Sequence, residues 1–419
     1  MAELVNTGQD GWNALLLSCC YGSLDIAKLL ISKKANIEYI GINGYTPLSM
    51  ASHHGHLNIV QYLISLNANI ETTTQDGSTS FMYSCEQNHV DVAKYLIQMK
   101  ANLEVQDKYG CTPLYVACQS GSLDAVKLLI YHKVNIETPH KGGGTSLMAA
   151  CEYGKLDVVQ YLITIKANIE STDNYGSTPL LFACVNGHSD IVKFLLECNV
   201  DFDLVNSDEP DGYTPFFSAC HSNHLDVVKI LFERKANIDT QRKKDCCTPL
   251  FFACQLGYVN VVKFLIQVKA NVEIPLNKLT NKFNKINPLM IACYQGHKEI
   301  VQILLERNLN LIIEGERNLN INTTSENGWN ALEWVVEGKK DVMEQKNSLG
   351  HFTSNLTNFD EIISLLKDLQ IKAQILVLDW PTSHSMFPTR AQEFLIELFL
   401  IFQQFHFPLE IRIIIIQTI

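Results

Sequence analysis

Two short apolar runs with helical spacing lie next to each other in residues 107–139. The first begins at Thr112-Pro113 and stops at Gly121, and the second covers residues 123–130. A threonine caps a helix by accepting a backbone N–H, and a proline at the first helical position gives up no hydrogen bond. Glycine then ends the helix. The pattern predicts two helices joined by a tight turn.

This helical pair recurs along most of the chain. A period near 33 residues indicates a stacked array in which each unit contacts only its neighbours. A single unit of this kind cannot bury its own apolar faces, so the sequence predicts an all-helical solenoid of about ten units. Counterparts of Thr112 occur first at steps of 33 residues and then at slightly longer steps, at Asn13, Thr46, Thr79, Thr145, Thr178, Thr214, Thr248, Asn287 and Asn330.

The pattern resembles the ankyrin repeat, whose core reads T-P-L-H-x-A. Its Thr-Pro pair is intact in five units, at Thr46, Thr112, Thr178, Thr214 and Thr248. The resemblance implies an all-α ankyrin-repeat solenoid of paired antiparallel helices with β-hairpin-like fingers. The family's histidine is replaced by other residues throughout, so we expect the interfaces between repeats to depend more on apolar packing.

The chain divides by pattern into three parts. We expect an N-terminal cap segment at residues 1–9, the array at residues 10–373 and a C-terminal helical segment at residues 374–419. In the last unit we predict a polar insertion at residues 338–358 and a second helix at residues 359–369. The repeats lie near residues 10–40, 41–73, 74–106, 107–139, 140–172, 173–205, 206–240, 241–275, 276–312 and 325–373.

Two interpretations of residues 374–419 stay open. Solenoids need a terminal cap to cover their last apolar face, and an apolar helix here would supply it. The segment also resembles, faintly, the short boxes by which some ankyrin proteins recruit ubiquitin-ligase adaptors.

Composition restricts the classes of partner and the cellular compartments that are expected for this chain. A net charge of −11 argues against nucleic acid as a partner. The longest strongly apolar run, residues 394–402, is far shorter than the roughly 20 residues that cross a bilayer, so we expect no membrane insertion. Free thiols fit a cytoplasmic or nuclear protein. Eight cysteines share one repeat position, which Ser52 takes in the second unit, and this indicates packing rather than disulfides or metal.

No motif in the chain favours catalysis. Gly142-Gly143-Gly144 lacks the lysine and the preceding strand of a nucleotide site. The histidines at 53, 54 and 56 fall on ordinary repeat positions, and no serine or cysteine sits in an activating context. We therefore expect no enzyme activity, no cofactor and no metal site. The basic finger at residues 242–244 is expected to be a solvated loop.

The resemblance also implies where a partner would bind. In this family, partners contact finger residues and the two first-helix positions before the terminal glycine, on the concave side. Tyrosine and tryptophan at such places make large contacts at low entropic cost. The corresponding residues are Trp12, Tyr45, His53, His54, Glu86, Gln87, Tyr109, Gln119, Ser120, Glu152, Tyr153, Tyr175, Asn186, Tyr213 and His221.

The sequence thus predicts a monomeric, non-catalytic scaffold that binds a protein partner on the concave face of the array. The alternative is a substrate receptor of a ubiquitin ligase, in which the repeats select the target and the C-terminal segment docks an adaptor.

Overall fold

The computed structural model describes residues 11–202, 212–242, 245–276, 285–313, 324–325, 328–349 and 356–378. By its internal contacts the chain forms two compact units, Met1–Ala253 and Cys254–Ile419.

The first unit consists of paired helices of seven to nine residues. Within it, each first helix packs on the first helix of the next repeat. In chain order the pairs are α1 (Ala14–Cys20) and α2 (Leu24–Ser32), α3 (Pro47–His53) and α4 (Leu57–Ser65), α5 (Ser80–Glu86) and α6 (Val90–Gln98), α7 (Pro113–Ser120) and α8 (Leu123–Tyr131), α9 (Ser146–Glu152) and α10 (Leu156–Thr164), α11 (Pro179–Val185) and α12 (Ser189–Glu197), and α13 (Pro215–His221) and α14 (Leu225–Glu233).

The helix pair predicted in residues 107–139 is confirmed. Thr112 Oγ1 accepts the N–H of Tyr115 at 3.2 Å. Gly121 ends α7 in the left-handed conformation, with φ at 82°. Such a φ is costly for any residue with a Cβ atom, which explains the glycine. The same side-chain cap recurs at Asn13, Thr46, Thr79, Thr145, Thr178, Thr214, Thr248, Asn287 and Asn330.

The shared cysteine position is a packing position, because all eight of its cysteines are free and fully buried. Burial raises the pKa of Cys19 and of Cys85 to about 12. These thiols therefore stay protonated and act as small apolar side chains. Ser52, in the same slot, is also fully buried.

Regular polar contacts between repeats accompany the apolar packing of their buried faces. Where the residue before a second helix is histidine, its ring donates to a carbonyl of the preceding repeat. His56 Nε2 lies 2.9 Å from the Cys20 carbonyl oxygen, and His188 Nε2 lies 2.8 Å from that of Glu152. These histidines thus supply one polar contact from a repeat to the one before it.

A second series of hydrogen bonds, which we call the Asn-x-Glu ladder, joins the turns that follow the second helices. Within a turn the asparagine Oδ1 accepts the N–H of the glutamate two residues later, as from Glu71 to Asn69 at 3.1 Å. This local turn aims the glutamate side chain at the next repeat. Its Oε1 then accepts the asparagine N–H of that repeat, in the pairs Glu38–Asn69, Glu71–Asn102, Glu104–Asn135 and Glu137–Asn168, at 2.7 to 2.9 Å.

The first repeat exposes apolar side chains that are buried elsewhere. Ile26 is 53% exposed, whereas Ile59, its counterpart in the second repeat, is 0% exposed. Leu17 and Leu29 are likewise 41% and 58% exposed. These residues occupy the side on which later repeats receive a preceding neighbour.

In the second unit the first three helices have eight or nine residues, and the last three are longer. They are α15 (Pro249–Leu256), which begins in the first unit, α16 (Val259–Gln267), α17 (Pro288–Gln295), α18 (Lys298–Ile313), α19 (Ala331–Leu349) and α20 (Leu356–Leu378). Asn330 Oδ1 accepts the N–H of Leu332 at 2.9 Å and so caps α19 as predicted.

The predicted polar insertion at residues 338–358 is wrong in its first part, because α19 continues through it to Leu349. The lysine, glutamate, glutamine and methionine residues there are good helix formers. Gly338 is needed in this helix, since a Cβ atom would overlap the carbonyl oxygen of Tyr294. The following helix, α20, includes the predicted residues 359–369 and buries Phe359 against Gly296.

Only the first residues of the C-terminal segment, up to Leu378, are described. The cap and the adaptor interpretations both depend on residues 379–419, which lie outside the described residues, and they stay predictions.

Candidate protein-binding surface

The fingers of the first unit are aligned by backbone hydrogen bonds from one repeat to the next. The N–H of Lys108 donates to the carbonyl of Asp76 at 2.7 Å, and the N–H of Lys141 donates to that of Tyr109 at 2.9 Å. Each finger is therefore held by its neighbour, and the residues at its tip have a fixed position relative to the next tip.

Two fingertips present an exposed tyrosine on a rigid support. Asp107 Oδ1 accepts the N–H groups of Tyr109 and Cys111, both at 2.8 Å. Asp173 Oδ1 likewise accepts the N–H groups of Tyr175 and Ser177, at 2.9 and 2.7 Å. Tyr109 is 64% exposed and Tyr175 is 57% exposed. An aspartate-fixed turn thus places a bare aromatic ring on each of these fingers.

Side chains of the fingers meet the last residues of the first helices, and we call this surface the finger-helix face. It consists of the fifteen predicted contact residues named in the sequence analysis, of which Trp12 is the first and His221 the last. Tyr83 lies behind this face and joins its two parts. Its hydroxyl is 3.1 Å from Thr74 Oγ1 in the finger, and its ring is 5.4 Å from that of His53 at the end of α3.

The first cluster on this face contains Tyr45 and His53. Tyr45 is half-buried, with its ring 5.3 Å from Tyr83 and 6.3 Å from His53. His54 is exposed, and its Nε2 lies 3.3 Å from Cys20 Sγ. Burial, followed by neighbouring histidines, lowers the pKa of both His53 and His54. These rings are therefore neutral aromatic surfaces at neutral pH.

The second cluster surrounds Tyr115, which is 8% exposed. Its ring is 5.1 Å from that of His140 in the next finger. Burial raises the pKa of Tyr115, and the nearby Cys111, Glu152 and Tyr153 raise it further. Tyr153 is 48% exposed and Glu152 is half-buried. A buried tyrosine thus lies near an exposed tyrosine and a glutamate of the next repeat.

The third cluster corrects the expectation of a solvated basic finger for its first residue, because Arg242 is 7% exposed, whereas residues 243–244 lie outside the described residues. Its Nε donates to Asp245 Oδ1 at 2.9 Å, and its Nη2 contacts the other oxygen of the same carboxylate. Its Nη1 donates to the Tyr213 hydroxyl at 2.9 Å, and its guanidinium lies 4.9 Å from the centre of the Phe252 ring. Tyr213 is therefore half-buried and packs beside His221.

The remaining predicted residues do not join these clusters. Trp12 and Gln119 are half-buried, and Gln87 and Ser120 are exposed. Asn186 is exposed, but its amide donates back to its own helix, to the Phe182 carbonyl at 2.9 Å.

Two glutamates give the face its electrostatic character. Glu86 and Glu152 are half-buried and end their first helices. Burial raises the pKa of Glu86 above its ordinary value, and the nearby Asp76 raises it further. Burial also raises the pKa of Glu152, against a smaller lowering by His140.

One exposed aromatic of the same kind was missed from the sequence. Tyr21 is 76% exposed at the position that His54 and Tyr153 take in their repeats. Applying the repeat register to the first unit would have found it.

The match to known families settles the fold. The family model for ankyrin repeats, in three copies, matches residues 2–74, 66–140, 132–206, 199–276 and 268–345. The chain belongs to the ankyrin-repeat family. Ankyrin arrays are scaffolds for protein interaction. Membership of this family therefore indicates that the chain is an interaction scaffold with protein partners.

Among solved structures, the human ASB11 ankyrin repeat domain is similar to this chain. It shares 26% identity, covers 50% of this chain and 92% of its own, and gives a TM-score of 0.45. None of the curated proteins compared with the chain matches it.

In the described part of the chain no helix is long and apolar enough to cross a membrane, and no group of three or more histidine, cysteine or acidic residues could hold a metal ion.

Proposed function

We propose that this ankyrin-repeat chain is a non-catalytic scaffold that binds a protein partner on the finger-helix face, which corresponds to the concave side of ankyrin arrays. The observation that carries the proposal is the set of exposed tyrosines on neighbouring repeats. Tyr109, Tyr153 and Tyr175 are 64%, 48% and 57% exposed. Tyrosine is enriched among the residues that dominate binding energy at interfaces.

Preorganisation supports this assignment. The fingertips are fixed by aspartate turns and by backbone hydrogen bonds between fingers, so little order has to be created when a partner binds. A preordered surface loses less conformational entropy on association and binds more tightly for the same contacts.

The test is a variant in which Tyr109, Tyr153 and Tyr175 are all alanine. Tyr131 supplies a matched control, because it is 80% exposed but ends a second helix, away from the fingers. Partners captured by affinity purification and identified by mass spectrometry should be lost from the triple variant and retained by Tyr131→Ala. Both variants should keep the helical circular dichroism of the wild type. Retention of the same partners by the triple variant would contradict the assignment.

A further inference from the structure

Glu86 and Glu152 are placed where an acidic side chain is least favourable to the fold. Each is the last residue of its first helix, at the negative end of the helix dipole. Each is half-buried. The ion pairs among the described residues involve neither carboxylate, and Glu152 has only the smaller electrostatic influence of His140. Their carbonyl oxygens, by contrast, are used, since Ser122 Oγ donates to that of Glu86 at 2.6 Å and His188 Nε2 to that of Glu152 at 2.8 Å.

These positions lower stability rather than raise it. The pKa of each carboxyl is raised in the folded chain, so the ionised form is less favourable there than in the unfolded chain. The destabilisation is present above the folded pKa and disappears as the pH falls through it. Side chains that oppose the stability of a fold while lying on an accessible face are typical of binding and catalytic sites.

We propose that the partner of the finger-helix face presents a basic segment, with one lysine or arginine at Glu86 and another at Glu152. This inference rests on the proposed function, because it names the chemistry of the partner that the same face would bind. A cation would neutralise each carboxylate, and a charge-assisted hydrogen bond to it is stronger than a neutral one.

The tyrosines complete this chemistry. Tyr109 belongs to the repeat between the two glutamates, and Tyr153 follows Glu152 directly. Both rings are exposed, and a tyrosine face attracts an arginine or lysine head while packing against its apolar stem. Lys108 and Lys141, which are exposed on the neighbouring fingertips, would repel basic groups placed there. The basic side chains of the partner are therefore directed toward the helix ends.

The spacing of the glutamates predicts the spacing of the basic residues. Glu86 and Glu152 are two repeats apart, and the first helices of successive repeats pack on each other. Helices in contact lie 8–10 Å apart, so the two carboxylates are separated by on the order of 20 Å. An extended chain advances about 3.3 Å per residue, which puts the two basic residues about six positions apart.

The test begins with random dodecapeptides displayed on phage, from which those that bind the immobilised full chain are selected. The affinity of each selected peptide for the chain is then measured in solution. We expect enrichment of lysine or arginine pairs about six positions apart. Glu86→Gln and Glu152→Gln should each weaken binding about tenfold or more, as expected for loss of a charge-assisted bond. Neither substitution should lower the melting temperature, which separates a binding role from a structural one.

Glu197→Gln is the matched control, because Glu197 is exposed and ends a second helix. It makes the same change in net charge and should leave peptide affinity unchanged. Peptides that depend on Tyr109 and Tyr153 but lack basic pairs, or that bind Glu86→Gln as well as wild type, would overturn the basic segment and leave the proposed function standing. Peptides insensitive to the tyrosines, or no selected peptide at all, would count against both.

Discussion

Replacing Ser52 by cysteine should stabilise the protein. Ser52 is fully buried near the end of α3, and its Oγ has no hydrogen-bond partner within the described residues. Eight other repeats carry a buried cysteine at this place. A thiol of similar size needs no partner, because it behaves as a small apolar side chain.

The magnitude follows from the cost of the unpaired hydroxyl. A buried polar group without a hydrogen bond costs about 1–3 kcal/mol. Ser52→Cys should therefore raise the free energy of unfolding by about 1–3 kcal/mol. The reverse change at a fully buried cysteine, Cys118→Ser, should lower it by a similar amount.

Urea unfolding followed by circular dichroism measures both changes. A shift of the midpoint at constant slope reports a change in stability, whereas a change in slope reports altered cooperativity. The reasoning is refuted if Ser52→Cys leaves the midpoint unchanged or lowers it while Cys118→Ser is neutral. That result would mean that a hydroxyl at this position is satisfied in solution.

Two further predictions concern the first unit. Asp245→Ala should lower the free energy of unfolding by about 3–5 kcal/mol, because it removes the carboxylate that pairs with the buried Arg242 guanidinium; a loss below about 1 kcal/mol in urea unfolding would mean that this ion pair is open to water. Ile26→Lys should change stability by no more than about 0.5 kcal/mol, whereas Ile59→Lys, which buries an unpaired charge at the same repeat position, should prevent cooperative thermal unfolding. Equal effects of the two lysines would contradict the exposure of the first repeat.

Local features of the chain predicted the helices well. Thr112 and Gly121 mark the ends of a helix through bonds within a few residues, and the structure shows both the cap and the left-handed φ. The exposed Tyr109 was also predictable, because its place in the repeat is fixed by Asp107 two residues earlier. Where the residues that surround a side chain lie within its own repeat, the sequence is sufficient to predict its position.

Contacts between repeats were harder to predict. The Arg242 side chain turns inward because Tyr213, 29 residues away, and Phe252 offer it a hydroxyl and a ring. The bond from His188 to Glu152 spans 36 residues and depends on how two helices meet. The continuation of α19 through Gly338 depends on the close approach of Tyr294. None of these leaves a local signal in the chain.

The Asn-x-Glu ladder has a consequence for how such a gene can change in length. Removing residues 74–106 would leave Glu71 at the same sequence distance from Asn135 that now separates it from Asn102, 31 positions. The bond between turns could then re-form across the junction. A deletion that is not a multiple of 33 residues would break this register, so recombination can add or remove whole repeats far more readily than parts of one.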